Sequence, residues 1–520
     1  MLTDHMMLQS IAFKSSVVLQ MTLDQDYLVP EQKADIEKVI AVNGDIHVQS
    51  VKRMTDKMLF SGILSWRLLY LKDRQSCAPD HMEGELPFEE MVNMDGITEN
   101  ANLHVDCETE DLRATMMNSR KINIRSVVNL YVRALAAEEI QAISGLAKSS
   151  ETVCLQNQNM TFSQMVMMKK DIIRVREEME LPANKANITD IVWGDVQNRH
   201  VDIRPMDDKL LLRGEAAVFL LYSGENEENA FEYVEAELPW HTEVPCEGLR
   251  EGMMLDCRLH KVSQALEMKA DMDGELRVVM TEIALEIDMT AYEEKEQQLM
   301  TDIYSVNRRL VPAMQTVSSV RILMRNQTEC KLYDKVRMPG EYTGILQLCH
   351  PWAEIRMDRL EMTPEGIKAE GAADVHILYV NGDDQQPLDV MHAGIPFSCT
   401  IETGTLPENV QYEVHPLLDH ISAVMIGQNT AEVRMTIRLD TMICQPIQMQ
   451  VVTSVDEQEA DDSYIESLPN LTGYVVKKED SLFSVGKQFC TTTAMIKQIN
   501  HLEKDDIAEG DRLLIMKYYK

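Results

Sequence analysis

DKMLFSGILSWRLLYL, residues 56–71, recurs with the same order of residue types at two later places in the chain. The later copies are DDKLLLRGEAAVFLLYSG at 207–224 and PEGIKAEGAADVHILYVNGD at 364–383. Glycine and tyrosine keep the same two spacings between copies, 152 and 157 residues. Because self-similarity at a fixed period marks repeated structural units, the sequence predicts a triplication. The glycines are Gly62, Gly214 and Gly371, and the tyrosines are Tyr70, Tyr222 and Tyr379.

Other positions keep these two spacings and support the triplication. A proline opens each unit, a second proline precedes an aromatic residue, and an arginine lies in a later apolar stretch. The opening prolines are Pro30, Pro182 and Pro339, and the arginines are Arg125, Arg277 and Arg434. The later prolines are Pro87, Pro239 and Pro396, followed by Phe88, Trp240 and Phe397.

The residues around each tyrosine alternate between apolar and polar, as in ADVHILYV, which predicts half-buried strands. A glycine inside such a strand indicates a bulge or a close backbone approach. We expect the tyrosine to be a buried ring whose hydroxyl reaches a partner. The aromatic residue after each proline is expected to fill the core. These positions are interpreted as structural, with a ligand role as the alternative. The predicted fold is mainly β, with three tandem β-sandwich or barrel-like repeats.

Two stretches between the strand-rich segments favour helices. RALAAEEIQAISGLAK (133–148) and AYEEKEQQLMTDIYSVNRRL (291–310) are rich in good helix formers, so connecting helices are expected. An acidic, weakly apolar stretch at 455–470 indicates a solvated linker. The expected domains are repeat 1 at 1–140, repeat 2 at 141–295, repeat 3 at 296–454, the linker, and a tail at 471–520.

The charge of the chain excludes several classes of partner. The formal net charge is −35, and the tail carries eight Lys/Arg against seven Asp/Glu, a net of +1, which leaves −36 on the body. Such a negative field repels nucleic acid and anionic lipid headgroups. The sequence has no apolar run of the roughly 18 residues that a membrane span needs. We therefore expect no nucleic-acid partner and no direct membrane insertion.

The cysteines and the N-terminus indicate a cytoplasmic protein. Ten cysteines are scattered without a CxxC motif, which predicts reduced thiols rather than a disulfide framework. MLTDHMMLQSIAFKSS lacks the basic and apolar regions of a signal peptide. Walker-A, GxSxG and HExxH motifs are missing from the sequence. His104 and Cys107 form an HxxC without a second pair at zinc spacing, so a structural role is expected. No catalytic residue, cofactor or metal is predicted.

The tail predicts a strand, two helices and a strand. Ser481 is the expected cap of the first helix, because its side-chain oxygen can accept an unpaired N–H of the first turn. The order Tyr-x-Val-x-x-x-Asp-Ser-Leu-x-x-Val, then Ile-x-x-Ile-Asn, then Glu-Gly-Asp-x-Leu-x-Ile resembles the LysM domain. The resemblance covers 474–517, at Tyr474, Val476, Asp480, Ser481, Leu482, Val485, Ile496, Ile499, Asn500, Glu509, Gly510, Asp511, Leu513 and Ile515.

LysM domains usually bind glycans that contain N-acetylglucosamine, so the resemblance implies a groove. Two positions depart from the family pattern. Glu479 stands where the family usually has Gly, and Gly486 lies inside the first helix, where it costs about 1 kcal/mol relative to Ala. The alternative is that the groove residues mainly set turns and core. The groove carried over by the resemblance is lined by Asp480, Ser481, Leu482 and Phe483 on one side and by Asn500, His501 and Leu502 on the other.

The repeats also resemble a known domain. The Gly–Tyr strand, the Leu-Pro-aromatic step and DIYSVNRRL (302–310) are similar to the SPOCS domains of bacterial spore-coat proteins. Three such units before a LysM resemble the SipL family of clostridial spore morphogenetic proteins, over about 30–517. The resemblance implies a non-catalytic scaffold for endospore coat assembly. It also implies a location in the mother-cell cytoplasm at the outer forespore surface, and in the spore coat.

The resemblance further implies the partners. In this family the LysM is implicated in holding the spore stage IV protein A morphogenetic ATPase, and the repeats would hold other coat proteins. The alternative is a peptidoglycan-binding protein that acts through the LysM. A hydrolase acting on cortex would need converging acids, for which the sequence gives no pattern.

Overall fold

The computed structural model consists almost entirely of antiparallel strands, so the predicted mainly β architecture is confirmed. It describes residues 3–54, 57–73, 77–94, 102–146, 151–225, 231–337, 345–383, 385–427, 430–459 and 467–518.

Three units follow one another, each with six strands. Unit 1 contains β1 (Thr3–Leu28), β2 (Ile36–Met54), β3 (Lys57–Lys72), β4 (Pro79–Asn93), β5 (Asn102–Asn118) and β6 (Lys121–Leu146). Unit 2 contains β7 (Val153–Glu180), β8 (Ile188–Met206), β9 (Lys209–Gly224), β10 (Glu232–Pro245), β11 (Met254–Ala270) and β12 (Leu276–Ser305). Unit 3 contains β13 (Arg309–Arg337), β14 (Ile345–Thr363), β15 (Gly366–Asn381), β16 (Leu388–Glu402), β17 (Gln411–Met425) and β18 (Thr430–Gln458).

Each unit folds into two three-stranded sheets. The sheet that holds the repeated glycine and tyrosine, here called the repeat sheet, has the order β2-β3-β4, β8-β9-β10 or β14-β15-β16. The other, here called the ribbon sheet, has the order β1-β6-β5, β7-β12-β11 or β13-β18-β17. The two sheets of a unit pack on each other through one hydrophobic cluster in units 2 and 3 and through three in unit 1. In unit 2, Leu220 and Tyr222 of β9 join Ile283 and Leu285 of β12. A fully buried Leu or Ile side chain contributes about 1.5–3 kcal/mol.

The repeated glycine lies beneath the aromatic residue that follows the repeated proline. Gly62 is the register partner of Phe88, Gly214 of Trp240, and Gly371 of Phe397. A methyl group at any of the three positions would lie under 3.0 Å from that ring. The glycines therefore allow a close approach of a ring to the backbone. The preceding prolines, Pro87, Pro239 and Pro396, lie opposite Ile63, Glu215 and Ala372.

The apolar run that ends each repeat strand is buried on both of its faces. One face packs on the ribbon sheet of its own unit. On the other face, Leu69 of unit 1, Leu221 of unit 2 and Leu378 of unit 3 enter one cluster that all three units share. Strands buried on both faces carry continuous apolar runs instead of alternation, which accounts for RLLYL and FLLY.

The first and last strands of each unit continue beyond the three-stranded part of the ribbon sheet and pair with each other as a two-stranded ribbon. The three ribbons finish at Thr3↔Leu146, Val153↔Ser305 and Arg309↔Gln458, here called the ribbon ends. They pack together through a cluster to which every unit contributes. That cluster includes Leu8, Ile140, Phe162, Leu299, Val317 and Val451.

The predicted connecting helices are wrong. Residues 133–146 belong to β6 and residues 291–305 belong to β12, while 147 and 148 lie outside the described residues. Helix propensities differ by only a few tenths of a kcal/mol per residue. They are outweighed by the pairing of the ribbon strands and by the burial of side chains between the three ribbons. The exposed Glu139 and Gln141 alternate with the buried Ile140 and Ala142, the period of a strand. The expected boundaries at 140 and 295 therefore fall inside β6 and β12.

The expected linker at 455–470 is only partly within the described residues. In the expected linker, residues 455–458 belong to β18, and 460–466 lie outside the described residues, as does Pro339.

The expectation that all thiols are reduced is wrong for one pair, because Cys330 of β13 and Cys399 of β16 form a disulfide between the two sheets of unit 3. Neither spacing places a cysteine at the equivalent positions of units 1 and 2.

The repeated arginine does not have one common role. Arg277 donates to four acceptors in the segment 181–187. In unit 1 the same contacts, to the segment 29–35, come from Arg120 and not from Arg125. The turn before Arg277 is longer than the turn before β6, so the spacing of 152 residues fails to align the two arginines.

Charged side chains from all three units meet between the units, at a site here called the charged junction. Arg258 of unit 2 pairs with Asp106 of unit 1 and with Glu413 of unit 3, both at 3.1 Å. Arg133 of unit 1 also contacts Glu413. The exposed fraction of the Arg258 side chain is 14%, so this charge depends on protein partners more than on water.

We predict that Arg258→Ala destabilises the contact between the units. Removing one partner of a buried ion pair costs about 3–5 kcal/mol, because the remaining charges stay desolvated. Hydrogen exchange of the β5 and β17 amides would measure the loss. Arg204→Ala, which removes an exposed pair with Asp202 in the same unit, should cost less than about 1 kcal/mol. Equal losses in the two variants would contradict a role of the charged junction in joining the units.

We predict that Gly371→Ala destabilises unit 3 by about 1–3 kcal/mol, the usual cost of overpacking. The new methyl group would lie 2.1 Å from the Arg356 carbonyl oxygen and 2.9 Å from the Phe397 ring. Gly394→Ala in the same sheet is the matched control, because its nearest neighbour atom lies at 3.6 Å. Amide exchange of β15 should separate the two variants, and faster exchange in the control would refute the packing argument.

Candidate binding module at the C-terminus

The tail forms a small module of two strands and two helices. They are β19 (Leu471–Val475), α1 (Leu482–Gln488), α2 (Thr493–Asn500) and β20 (Arg512–Met516), and the strands pair antiparallel. The helices pack on one face of the strand pair. The core consists of Val476, Leu482, Val485, Ile496, Leu513 and Ile515.

The residues before and at the start of α1 mostly build the module itself. Ser481 is the N-cap as predicted, accepting from the backbone N–H of Ser484, whose hydroxyl accepts from the Ser481 N–H in return. Asp480 accepts hydrogen bonds from the Tyr474 hydroxyl and the Lys477 N–H, both at 2.7 Å. These two donors hold the pKa of Asp480 below its usual value. Leu482 is buried in the module core.

The residues at the end of α2 divide between structure and surface. The Asn500 amide donates to the carbonyl oxygens of Ile496 and Leu514, and its oxygen accepts from the Leu514 N–H. Asn500 therefore binds the edge of β20. Leu502 packs partly against the core. His501 has a left-handed backbone (φ 51°) and an exposed side chain.

Phe483 faces unit 2. Its ring meets the Tyr304 ring edge-on, with centroids 4.9 Å apart. The Tyr304 hydroxyl donates to the Thr491 carbonyl oxygen at 2.9 Å, across 187 residues of sequence. Burial, followed by the neighbouring Cys154, raises the pKa of Tyr304. At the rim, the Lys487 Nζ lies 2.6 Å from an Asp302 carboxylate oxygen.

Sequence reasoning missed Tyr304 as a contact of the tail, although DIYSVNRRL contains it. Neither spacing places a tyrosine at the corresponding position of the other units, so periodicity gives no signal. The spacing of the repeats did contain a signal for three acidic residues that sequence reasoning also missed. Asp80, Glu232 and Asp389 keep the spacings of 152 and 157 residues, and each is the register partner of a repeated tyrosine.

Two of the three repeated tyrosines have hydroxyls within hydrogen-bond distance of these carboxylates. The Tyr222 hydroxyl donates to the Ala186 carbonyl at 3.2 Å and to Glu232 at 3.3 Å. The Tyr379 hydroxyl lies 3.5 Å from Asp389, and burial together with this charge raises the pKa of Tyr379 to about 12. The Tyr70 hydroxyl is buried without a hydrogen-bond partner among the described residues. All three tyrosine rings are buried within their own units.

The other candidate positions also have structural surroundings. His104 lies between units 1 and 2, with its ring nitrogens 3.2 Å from Asp288 and 3.1 Å from the Thr290 hydroxyl. Over the residues described, no group of three or more His, Cys, Asp or Glu is arranged to hold a metal ion. Neither tail helix is long and apolar enough to cross a membrane, and the rest of the described chain offers no such helix.

We predict that Asn500→Ala destabilises the module by about 1–3 kcal/mol, because three hydrogen bonds are lost and backbone groups at β20 lose their partner. Amide exchange of α2 and β20 would measure the change. Glu503→Ala, an exposed position three residues later, is the control and should change the stability by less than about 0.5 kcal/mol. Unchanged exchange in Asn500→Ala would show that the amide has no structural role.

Comparison with protein families gives two matches. The family model described as SipL, SPOCS domain matches residues 35–117, 187–284 and 344–426, just over half of the chain. The LysM domain model matches residues 474–515. Among curated proteins and among solved structures, none matches this chain. SPOCS and LysM domains are non-catalytic binding domains, and together they fit a sporulation-related protein with a LysM binding module. With three SPOCS regions ahead of a terminal LysM domain, the chain belongs to the SipL family.

Proposed function

We propose that this protein is a non-catalytic scaffold of endospore coat assembly, which tethers coat layers to the forespore surface. The observation that carries the proposal is the joining of three SPOCS regions and one LysM domain in a single chain. Its place would be the mother-cell cytoplasm at the outer forespore surface, and later the coat. Three linked units raise the effective concentration of weak sites for other coat proteins. The charge of −36 on the body favours basic surfaces on those partners.

In this proposal the LysM tail docks the spore stage IV protein A morphogenetic ATPase. The residues available for that contact lie on the exposed surface around His501, here called the open side of the module. His501 presents an exposed side chain, Leu502 is half-buried beside it, and Ser481 is half-buried with its hydroxyl engaged in the cap of α1. Asp480, Leu482 and Asn500 would act through the shape they give to the two loops.

The second candidate is peptidoglycan binding through the same module, and the LysM match favours it. Glu479 weighs against it. This residue has a left-handed backbone (φ 72°), a conformation that favours glycine, the residue usual at this position of the family. The chain keeps the strained conformation and places a carboxylate at the rim of the module.

We also propose that each unit is a small β-sandwich and that the tail is a βααβ module. The support for the first is the packing of apolar side chains between the repeat sheet and the ribbon sheet of each unit, as one cluster in units 2 and 3 and as three clusters in unit 1. The support for the second is the order of the four tail elements and the antiparallel pairing of β19 with β20.

The test is binding of the purified chain to immobilised spore stage IV protein A, with and without residues 470–520. We expect binding that requires the tail, while circular dichroism shows a folded body in both chains. A soluble peptidoglycan fragment should not compete. If the full chain does not bind the ATPase but is retained on insoluble peptidoglycan, the second candidate is favoured.

A point variant sharpens this test. His501→Asn removes the imidazole, and Asn tolerates the left-handed backbone, so the module should stay folded. We expect affinity for the ATPase to fall several-fold in His501→Asn. Glu503→Gln is the control and should bind as the unchanged chain does. Equal affinity of all three chains would exclude the open side of the module as the contact.

A further inference from the structure

The tail is in direct contact with the ribbon end of unit 2, and Tyr304 is the centre of that contact. Tyr304 lies second from the end of β12 and is buried. Its hydroxyl donates to the carbonyl oxygen of Thr491, in the connection between α1 and α2. Its ring packs edge-on against Phe483 of α1. One side chain of the body therefore engages both a helix and an interhelical connection of the tail.

Gly486 provides the room for this contact. A methyl group on Gly486 would lie 2.3 Å from the Tyr304 hydroxyl oxygen and 2.9 Å from the Thr491 carbonyl oxygen. Its position inside α1 needs no left-handed backbone, and glycine is among the weakest helix formers. A methyl group at Gly486 would therefore meet both Tyr304 of the body and the Thr491 backbone of the module, so the approach of Tyr304 adds to a restriction that the module itself imposes.

We propose that Tyr304 and Gly486 form a docking joint that locks the LysM module onto the ribbon end of unit 2 in one orientation. The joint occupies the Phe483 side of the module, so a partner must reach the module from the side of His501 and Leu502. This inference holds for either ligand of the module, ATPase or glycan, because it concerns which face is free.

The exposed ion pair supports one orientation but does not hold the joint. Lys487 and Asp302 flank Tyr304, and their side chains are 44% and 23% exposed. Exposed pairs contribute little to stability and are screened by salt. The packing of Tyr304 against Gly486 should therefore persist at high ionic strength.

The test is nuclear magnetic resonance relaxation of the full isotope-labelled chain. In the unchanged chain the tail amides should tumble at the rate of the whole 59.3 kDa protein. Gly486→Ala should release the tail and shorten the rotational correlation time of its amides several-fold. Gly473→Ala is the matched control, because a methyl group there meets no atom within 4 Å. Its tail should stay locked.

A second variant changes nothing inside the tail. Tyr304→Ala removes the ring and the hydroxyl and should also release the module, whereas Tyr333→Phe at an exposed tyrosine should not. In the Tyr304→Ala background, Gly486→Ala should speed exchange of the α1 amides less than it does in the unchanged chain, because only the 2.9 Å contact with the Thr491 carbonyl oxygen remains. The size of the Gly486→Ala effect on the tail therefore depends on Tyr304.

Two results would overturn the proposal. One is a tail that tumbles independently in the unchanged chain. The other is a tail that stays locked in both Gly486→Ala and Tyr304→Ala. These measurements contain no partner, so a failure of the joint is distinguishable from a failure of the proposed function.

Discussion

Two-sided burial of the repeat strands is the constraint on which the rest of the structure depends. Each strand covers one face with its own ribbon sheet and needs the other units to cover the second. Leu69, Leu221 and Leu378 meet in that shared cluster, so no unit buries its apolar surface alone. Each unit also has a core of its own, as in the unit 2 cluster that contains Leu220 and Ile283, and the shared cluster adds burial that one unit cannot supply.

The ribbons extend the same constraint along the molecule. Pairs such as Thr3↔Leu146 and Val153↔Ser305 bring the ends of successive units to one place, where the chain also enters the tail. Tyr304 lies there and contacts the module through Phe483 and Thr491. A scaffold built in this way would present its LysM module at a fixed position relative to three repeated surfaces, which suits ordered assembly better than a freely swinging module does.

Charge acts with packing between the units. A body with a net charge of −36 repels itself, yet Arg258 and Arg133 are drawn into the interior by carboxylates of neighbouring units. A charge that is removed from water destabilises the protein unless an opposite charge pairs with it. The charged junction thus favours the placement of the units in which Arg258 and Arg133 are paired.

The sequence by itself determined the triplication, the β character of the repeats, the cap at Ser481 and the family. All of these rest on short-range pattern or on spacing. Tertiary structure decided the rest. Residues 133–146 and 291–305 have helical composition but become strands, because pairing and three-way burial outweigh small propensities. Gly486 departs from the LysM pattern, and the folded chain places Tyr304, distant in sequence, against it. The contact of Tyr304 with Phe483 leaves no periodic mark, so only the folded chain reveals it.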